Sequence, residues 1–195
     1  MDHRPTDILV RFREANKADA ERIAALHATS WRFAYRGMLS DKYLDGDLVG
    51  ERTRLWIERL AASNPQQRVV LAEIGDRLAG FACAFGSEDP QLGTLLDNLH
   101  VRQEFQHQGV GTGLMNEIVS RVRAEFPGEG LFLWVLESNK QARRFYEDLG
   151  AIRVAEEIWH SPDGGSLPSL CYAWHDLIAL MSLLKVRMQK PALRR

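Results

Sequence analysis

Residues 97–115 read DNLHVRQEFQHQGVGTGLM and join an apolar strand to an amphipathic helix through a polar loop. The strand ends at Val101, and Gly109, Gly111 and Gly113 lead into the helix. The first N–H groups of a helix have no partner inside it, and the helix dipole makes that end positive. Glycines let such a main chain approach an anion closely. The stretch therefore predicts an anion cradle at a helix start.

Other interpretations of the glycines must be weighed. Three glycines could simply make a loop flexible, and that alternative stays open from this stretch alone. A Walker loop ends in Gly-Lys-Ser/Thr, whereas residues 113–115 read GLM. A dinucleotide fingerprint needs its third glycine at Leu114, and it normally follows the first strand of a βαβ pair. The register therefore excludes both of these phosphate-binding loops.

A second stretch, LWVLESNKQARRFYEDLG at residues 133–150, runs from a buried strand into a short helix. Tyr146 follows Asn139 by seven residues, nearly two helical turns, so the two side chains share about one face. Asn139 could act only as a helix N-cap. Tyr146 could be only a core aromatic, like Phe145 beside it.

Periodicity and turn residues give the order of the remaining elements. Strands are predicted over 8–13, 67–74, 78–85, 94–101, 131–136, 152–160 and 170–174, and helices over 16–36, 41–62, 113–126 and 139–149. The strands at 67–74 and 78–85 form a hairpin, and residues 109–136 form a parallel crossover. The order predicts an α/β fold in which helices flank a mixed, mostly antiparallel sheet of about seven strands.

Composition narrows the class of protein. The chain has 195 residues, a net charge of −1 and two distant cysteines in apolar runs, which favours one compact domain in a reducing cytosol. We expect no metal site, no nucleic-acid partner, no signal peptide and no membrane span, hence a cytoplasmic protein. Residues 1–176 form the predicted domain. Residues 177–195 form a helical, basic tail whose apolar stripe packs on the domain or on a second subunit of a homodimer.

The motifs resemble those of the Gcn5-related N-acetyltransferase (GNAT) family. QHQGVG at 106–111 matches the signature Gln/Arg-x-x-Gly-x-Gly/Ala, and Leu99-His-Val101 resembles the preceding strand. The resemblance implies acetyl-CoA as cosubstrate, with its pyrophosphate on the loop amides of Gln106, His107, Gln108, Gly109, Val110, Gly111, Thr112 and Gly113. It also implies that the main chain of Leu99, His100 and Val101, together with Asn139, binds the pantetheine arm. Gln103 departs from the family pattern, in which proline often follows the strand.

The resemblance implies that Tyr146 protonates the departing thiolate. Amide formation also requires a neutral amine, so a base must remove its proton. We rank Asp97 first for this role, followed by Glu137 and Glu73. Strand alternation turns the His100 side chain to the face opposite Leu99 and Val101.

The resemblance places the amine acceptor, a small molecule or a peptide, against the first helices. The large rings of Trp31 and Tyr35 are candidates to shape that pocket, with Trp56 nearby. All three could equally be core residues, as aromatic side chains at helical spacing usually are. The sequence does not identify the amine.

Competing functions receive less support. Phosphoryl transfer would require a P-loop lysine and Mg²⁺ carboxylates in register, and a serine hydrolase would require Gly-x-Ser-x-Gly. Neither pattern occurs. The strongest alternative is a non-catalytic acyl-CoA sensor or interaction module on the same fold. The sequence thus predicts an N-acetyltransferase that works by direct attack in a ternary complex.

Overall fold

A computed structural model describes residues 9–189 and contains a seven-stranded sheet with helices on both faces. The strands are β1 Val10–Glu14, β2 Gln67–Ile74, β3 Arg77–Asp89, β4 Gly93–Val101, β5 Leu131–Leu136, β6 Ile152–His160 and β7 Ser166–Trp174. The helices are α1 Ala20–Ala34, α2 Asp41–Leu44, α3 Leu48–Ala61, α4 Val110–Glu125, α5 Lys140–Glu147 and α6 Leu177–Gln189. Short 3₁₀ turns occupy Lys17–Asp19 and Gln103–Phe105.

The strands lie in the order β1-β2-β3-β4-β5-β7-β6. Only β4 and β5 pair in parallel, and the other neighbouring strands are antiparallel. The crossover between β4 and β5 runs through α4, as the apolar stripe of that helix predicts. The predicted fold class, with a mostly antiparallel sheet of seven strands flanked by helices, is confirmed.

The sheet has a different core on each face. Helices α4 and α6 cover one face, which we call the α4 face, where Leu114, Ile118 and Leu180 are buried against the strands. Helices α1 and α3 cover the other, the α1 face, around Trp56 and Phe81. Alternate residues of one strand therefore enter different cores.

Several element boundaries differ from the predicted ones. The helix predicted over 41–62 is two helices, because Asp47 ends the connecting turn by accepting the N–H of Gly50 at 3.1 Å and so caps α3. Helix α4 begins at Val110, three residues before the predicted start, because Gly109 adopts a left-handed φ of 83° and serves as its N-cap. Strand β7 begins at Ser166, where it pairs with His160 of β6. Residue 8 of the predicted first strand and residues 190–195 of the predicted basic tail lie outside the described part.

Candidate functional site

The site begins with a cleft between β4 and β5. These strands pair only at Thr94 with Leu131 and at Leu95 with Phe132, and then diverge. A register shift in the pairing with β3 places Asp97 in a bulge between Leu96 and Asn98 at the point of divergence. Bulges bend a strand and disrupt its ladder. The result is a V-shaped gap bounded by main chain on both sides.

The main chain of Leu99 and Val101 faces this cleft. The N–H of Arg102 donates to the carbonyl oxygen of Ala79 at 2.9 Å, so Arg102 forms a hydrogen-bonded pair with β3. Such pairs alternate along an antiparallel ladder, which turns the N–H and C=O groups of Val101 and Leu99 away from β3. Consistent with this, the carbonyl oxygen of Val101 accepts a hydrogen bond from Gln106 Nε2 at 3.1 Å. Both residues can therefore pair with an extended ligand.

His100 is placed differently from its neighbours. Its main chain belongs to the β3 ladder by the same alternation, and its ring lies on the α1 face, 4.8 Å from the ring of His27 and 5.2 Å from Phe81. This is the side that strand alternation predicts. The structure thus brings Leu99 and Val101, but not His100, to the edge of the cleft.

The start of α4 lies at the mouth of the cleft. Its N-cap, Gly109, offers no side chain to the free amides, and the N–H of Gly113 is already bonded to the carbonyl oxygen of Gly109 at 2.9 Å. The amides of Val110, Gly111 and Thr112 therefore remain for a ligand. A Cβ at Gly111 would contact Phe145 and Val101 at an ordinary 3.7 Å, so packing does not require glycine there.

The rest of the loop is anchored by its own contacts. Gly113 must be glycine for packing, because a Cβ would lie 2.3 Å from Phe12. His107 adopts a left-handed φ of 59°, and Gln108 Nε2 donates to the carbonyl oxygen of Glu104 at 2.7 Å. Gln106 accepts a hydrogen bond from Gln141 of α5 at 3.2 Å, across the mouth of the cleft. The loop residues predicted to bind the cofactor thus form one compact turn.

Asn139 and Tyr146 border the cleft from α5. Asn139 Oδ1 accepts the N–H of Ala142 at 3.2 Å, which makes Asn139 the N-cap of α5. The Tyr146 ring packs edge-on against Phe145 and Trp174 and is 8% exposed. The side-chain hydrogen bonds found around it within residues 9–189 join Tyr172 to Arg143 and Glu147, and Trp174 to the carbonyl oxygen of Leu149, and none of them uses the Tyr146 hydroxyl. Capping and packing therefore coexist with a free amide nitrogen on Asn139 and a free hydroxyl on Tyr146.

A cluster of rings on the α1 face adjoins the cleft. Trp31 contacts Tyr35 at 5.0 Å and Trp159 at 6.3 Å between ring centroids, and Arg52 lies 4.1 Å above the Trp31 ring. Burial raises the pKa of Tyr35 to about 12, opposed by the charge of Arg52 and reinforced by that of Asp97. Burial, followed by the charge of Tyr35, raises the pKa of Tyr146. The two phenols are therefore close enough to interact electrostatically.

Two histidines occupy the centre of that cluster. Trp56 Nε1 donates to His27 Nδ1 at 3.0 Å, inside a pocket that leaves His27 1% exposed. Burial, then the neighbouring His100, lowers the pKa of His27 well below its usual value. Burial likewise lowers the pKa of His100 to about 4. Both imidazoles are therefore neutral at pH 7.

The candidate bases lie in unequal surroundings. Asp97 Oδ2 accepts a hydrogen bond from Arg59 at 2.6 Å, and the same guanidinium donates to Asn98 at 3.1 Å. Glu73 is held by three arginines on β1 and α1, and hydrogen bonding from Arg13 lowers its pKa to about 2. Glu137 follows β5, with an exposed side chain. Of the three, Asp97 lies at the bulge.

Sequence reasoning missed three contributors to the site. Arg52 and Trp159 join the ring cluster only through long-range contacts, and nothing in the local sequence around either one indicates this. Trp134 is 37% exposed on β5, beyond the last residues that pair with β4. An exposed tryptophan inside a continuous apolar strand was a usable signal, because such a strand is normally buried on both faces.

Two diverging parallel strands with an uncapped helix start at their mouth define an α/β protein with a cleft for an extended, anionic ligand. The model of the Acetyltransferase (GNAT) family matches residues 19–151. The chain therefore belongs to this family of acetyltransferases.

Two individual relatives support the same family assignment. The uncharacterized N-acetyltransferase YuaI of Bacillus subtilis is 31% identical over 179 residues, which cover 90% of this chain and 99% of YuaI. Rv2775 of Mycobacterium tuberculosis, named a probable N-acetyltransferase, is 32% identical over 145 residues, 71% of this chain and 77% of its own.

One solved structure shows the shared fold. PaiA N-acetyltransferase from Thermoplasma acidophilum, solved in complex with coenzyme A, has a TM-score of 0.66 at 17% identity. The match covers 85% of this chain and 99% of that one. Within residues 9–189, every helix falls short of the length and apolarity that a bilayer-spanning segment requires.

Proposed function

We propose that the protein transfers an acetyl group from acetyl-CoA to an amine by direct attack in a ternary complex. The observation that carries this proposal is the cleft itself. Free main-chain groups of Leu99 and Val101 line it, the open amides of α4 lie at its mouth, and the Tyr146 hydroxyl of α5 lies beside it. An extended thioester with a pyrophosphate matches all three features.

The donor would bind along the cleft. The pyrophosphate accepts hydrogen bonds from the amides of Val110, Gly111 and Thr112, and the helix dipole adds attraction. The pantetheine arm pairs with the β4 main chain and with the free Nδ2 amide of Asn139. The thioester then lies near the bulge at Asp97, where β4 and β5 diverge.

The reaction forms one bond and breaks another. The amine nitrogen attacks the thioester carbonyl carbon, and a β4 main-chain N–H facing the cleft stabilises the charge that develops on the oxygen. The carbon–sulfur bond breaks as the amide forms, and Tyr146 gives its proton to the departing sulfur. The proton lost by the amine passes through water to Asp97, whose Oδ1 is not used by Arg59.

The assignment of Asp97 has its own test. Asp97→Asn keeps an acceptor for Arg59 and removes the base, so kcat should fall by about 10²- to 10⁴-fold. Acetyl-CoA affinity, measured by calorimetry, should stay unchanged. An unaltered kcat in this variant, with chemistry rate-limiting, would remove Asp97 from the mechanism.

The acceptor would approach from the α1 face, beside Trp31 and Tyr35. The ring cluster supports this side, because it adjoins the cleft opposite the α4 core. Release of free CoA thiol over a panel of amines, with mass spectrometry of the products, tests the function. Tight acetyl-CoA binding without thiol release across polyamines, amino acids, aminoglycosides and peptides would favour the non-catalytic sensor instead.

A further inference from the structure

Two buried hydrogen-bond donors in the ring cluster of the α1 face lack acceptors. Trp56 Nε1 donates to His27 Nδ1 at 3.0 Å, so the neutral His27 ring carries its proton on Nε2. His27 Nε2 and Arg52 Nε are both buried without a partner within residues 9–189. Both side chains contact Trp31, His27 at 5.5 Å between ring centroids and Arg52 at 4.1 Å above the ring. Because unpaired buried donors cost free energy, the cluster favours a ligand that brings acceptors.

Arg52 is a buried cation whose donors are only partly used. Its Nη2 donates to the Tyr43 hydroxyl at 3.2 Å and to Glu51 Oε1, and no side-chain hydrogen bond found within residues 9–189 uses its Nε or Nη1. The Glu51 carboxylate also accepts the Tyr43 hydroxyl at 2.9 Å, and its side chain is 39% exposed. Water therefore screens the Glu51 charge, whereas Arg52 is 7% exposed. A guanidinium has five N–H donors, so Arg52 retains some for an anionic group.

The cluster lies between charges of opposite sign. The Tyr35 ring packs edge-on against Trp31, with 5.0 Å between ring centroids. Burial raises the pKa of Tyr35, the charge of Arg52 lowers it and the charge of Asp97 raises it further. Tyr35 is therefore within electrostatic reach of both a cation and an anion. A ligand beside it that carries a carboxylate and an amine would complement both charges.

The outer side of the cluster is covered by two connecting segments. The N–H of Ser40, between α1 and α2, donates to Asp163 Oδ2, in the turn between β6 and β7, at 2.6 Å. Trp159 of β6 packs edge-on against Trp31, at 6.3 Å between ring centroids. These contacts hold the two segments together over the cluster, which favours a small acceptor over an extended polypeptide.

We propose that the acceptor is a small amine that also carries a carboxylate, as an amino acid does, and that Arg52 binds this carboxylate. This inference rests on the proposed function, because it names the class of amine that is acetylated. Hydrogen bonds from a guanidinium to a carboxylate are charge-assisted and stronger than those to a neutral amide. With the carboxylate at Arg52, the amino group is free to face Asp97 and the cleft.

A comparison of matched substrates tests the proposal in the unaltered protein. Release of CoA thiol is measured with a panel of amino acids, each paired with its own carboxamide. For the best pair we expect kcat/KM to be about tenfold or more higher for the acid. The amine of an amino acid is more basic than that of its carboxamide, so this preference cannot arise from easier deprotonation. Equal or higher kcat/KM for the carboxamides, or for acidic peptides, would overturn the inference and leave acetyl transfer standing.

Variants of Arg52 assign the preference to this side chain. Arg52→Gln should raise KM for the best amino acid about tenfold or more and leave that of its carboxamide unchanged. Arg52→Lys should restore part of the loss, because it keeps the charge without the planar donors. Arg54→Gln, two residues further on α3 with a side chain 71% exposed, is the matched control and should match the wild type. An Arg52→Gln enzyme that keeps the full preference for the acid would overturn the role of Arg52.

A binding measurement separates this inference from the proposed function. Circular dichroism melts first check that each variant folds, and if Arg52→Gln does not, Arg52→Lys and the matched substrates decide. If no amine releases thiol, the proposed function fails, and calorimetry of the same amino acids with the CoA-bound protein decides the inference. Binding to the wild type that is lost in the Arg52 variant would support the carboxylate site. Absence of binding, or equal binding to both proteins, would remove it.

Discussion

Tyr146 combines two properties that sequence reasoning treats as alternatives. Its ring fills space between Phe145 and Trp174, and its hydroxyl takes no part in the side-chain hydrogen bonds found around it within residues 9–189. Burial raises the pKa of this phenol, so it stays protonated at neutral pH. In the proposed mechanism this neutral phenol donates a proton from beside the cleft and does not compete for the proposed anion site.

We therefore expect Tyr146→Phe to keep the packing and lose the proton donor. If the proposed acid role holds, kcat falls by about 10²- to 10⁴-fold while acetyl-CoA affinity barely changes. Tyr172→Phe on β7 is a matched control, since it loses a hydrogen bond to Glu147 away from the cleft. A Tyr146→Phe enzyme within about twofold of wild type, with chemistry rate-limiting, would exclude the acid role.

Gly111 offers a separate test of the anion cradle. Gly111→Ala introduces a Cβ that meets only ordinary contacts at 3.7 Å, so the fold should tolerate it. Gly111→Asp adds a negative charge where the pyrophosphate is proposed to bind, and affinity for acetyl-CoA should be lost while the melting temperature changes little. Calorimetry that shows equal affinity in the alanine and aspartate variants would contradict the cradle.

At the scale of elements, the helix starts differ in how they are capped. Side chains of Ser40, Asp47 and Asn139 accept N–H groups at the starts of α2, α3 and α5. Helices α1 and α4 have no such cap, but α1 continues directly from the 3₁₀ turn at Lys17–Asp19, which Asn16 caps. Uncapped amides at a helix start favour an anion, and α4 offers them at the mouth of the cleft.

Helix α6, the last helix of the described chain, packs into the α4 core and is part of the domain. Leu180 of α6 is 1% exposed within the α4 core, so Leu180→Ala should lower the free energy of unfolding by about 2–5 kcal/mol. Ile178→Ala, at 65% exposure on the same helix, should change it by less than about 0.5 kcal/mol. Urea unfolding measures both. Equal effects of the two variants would show that α6 does not pack as described.

At the scale of the molecule, two sets of titratable groups with lowered pKa values lie at different places on the α1 face. Near β1, Glu73 receives hydrogen bonds from Arg11, Arg13 and Arg22 at 2.6, 2.9 and 3.0 Å. Near the cleft, the neutral His27 is buried and the neutral His100 is half-buried, and both lie among rings. Glu73 and His100 therefore take up protons in different pH ranges.

Stability should therefore fall with acid in two steps. The pKa of His100 is about 4 in the folded chain and near 6.5 unfolded, so the unfolded chain binds more protons between these values and the free energy of unfolding falls as pH drops from 6.5 to 4. The pKa of Glu73 is about 2 against an ordinary 4.5, so its contribution is lost between 4.5 and 2.

Urea midpoints across pH separate the two steps. His100→Phe should flatten the loss above pH 4.5, where His27 still contributes, and Glu73→Gln should flatten the loss below it. His107→Phe, on the exposed loop, is the control for removing a histidine. A His100→Phe profile that parallels wild type from pH 6.5 to 4.5 would show that folding does not lower the pKa of the His100 ring.

The sequence by itself determined the kind and order of the elements and the family. Periodicities of 3.6 and 2, and turn residues such as those at 75–77, are local properties, so every predicted strand and helix appears within a few residues of its place. The glycine loop and the Asn139–Tyr146 spacing could also be recognised in the sequence, because each motif is contiguous in the chain. The element boundaries were predicted less closely. Because Gly109 has a left-handed φ, α4 starts earlier than predicted, and because Asp47 caps α3, one predicted helix is two helices.

Only the tertiary structure decided how these parts meet. The divergence of β4 from β5, the pairing of Asp97 with Arg59 across 38 positions and the stacking of Arg52 on Trp31 all join segments distant in sequence. The packing of α6 on α4 is of the same kind. No local pattern specifies such contacts, because each depends on the burial and register of the whole sheet. The anion cradle is therefore a property of the sequence, and the cleft that it serves is a property of the fold.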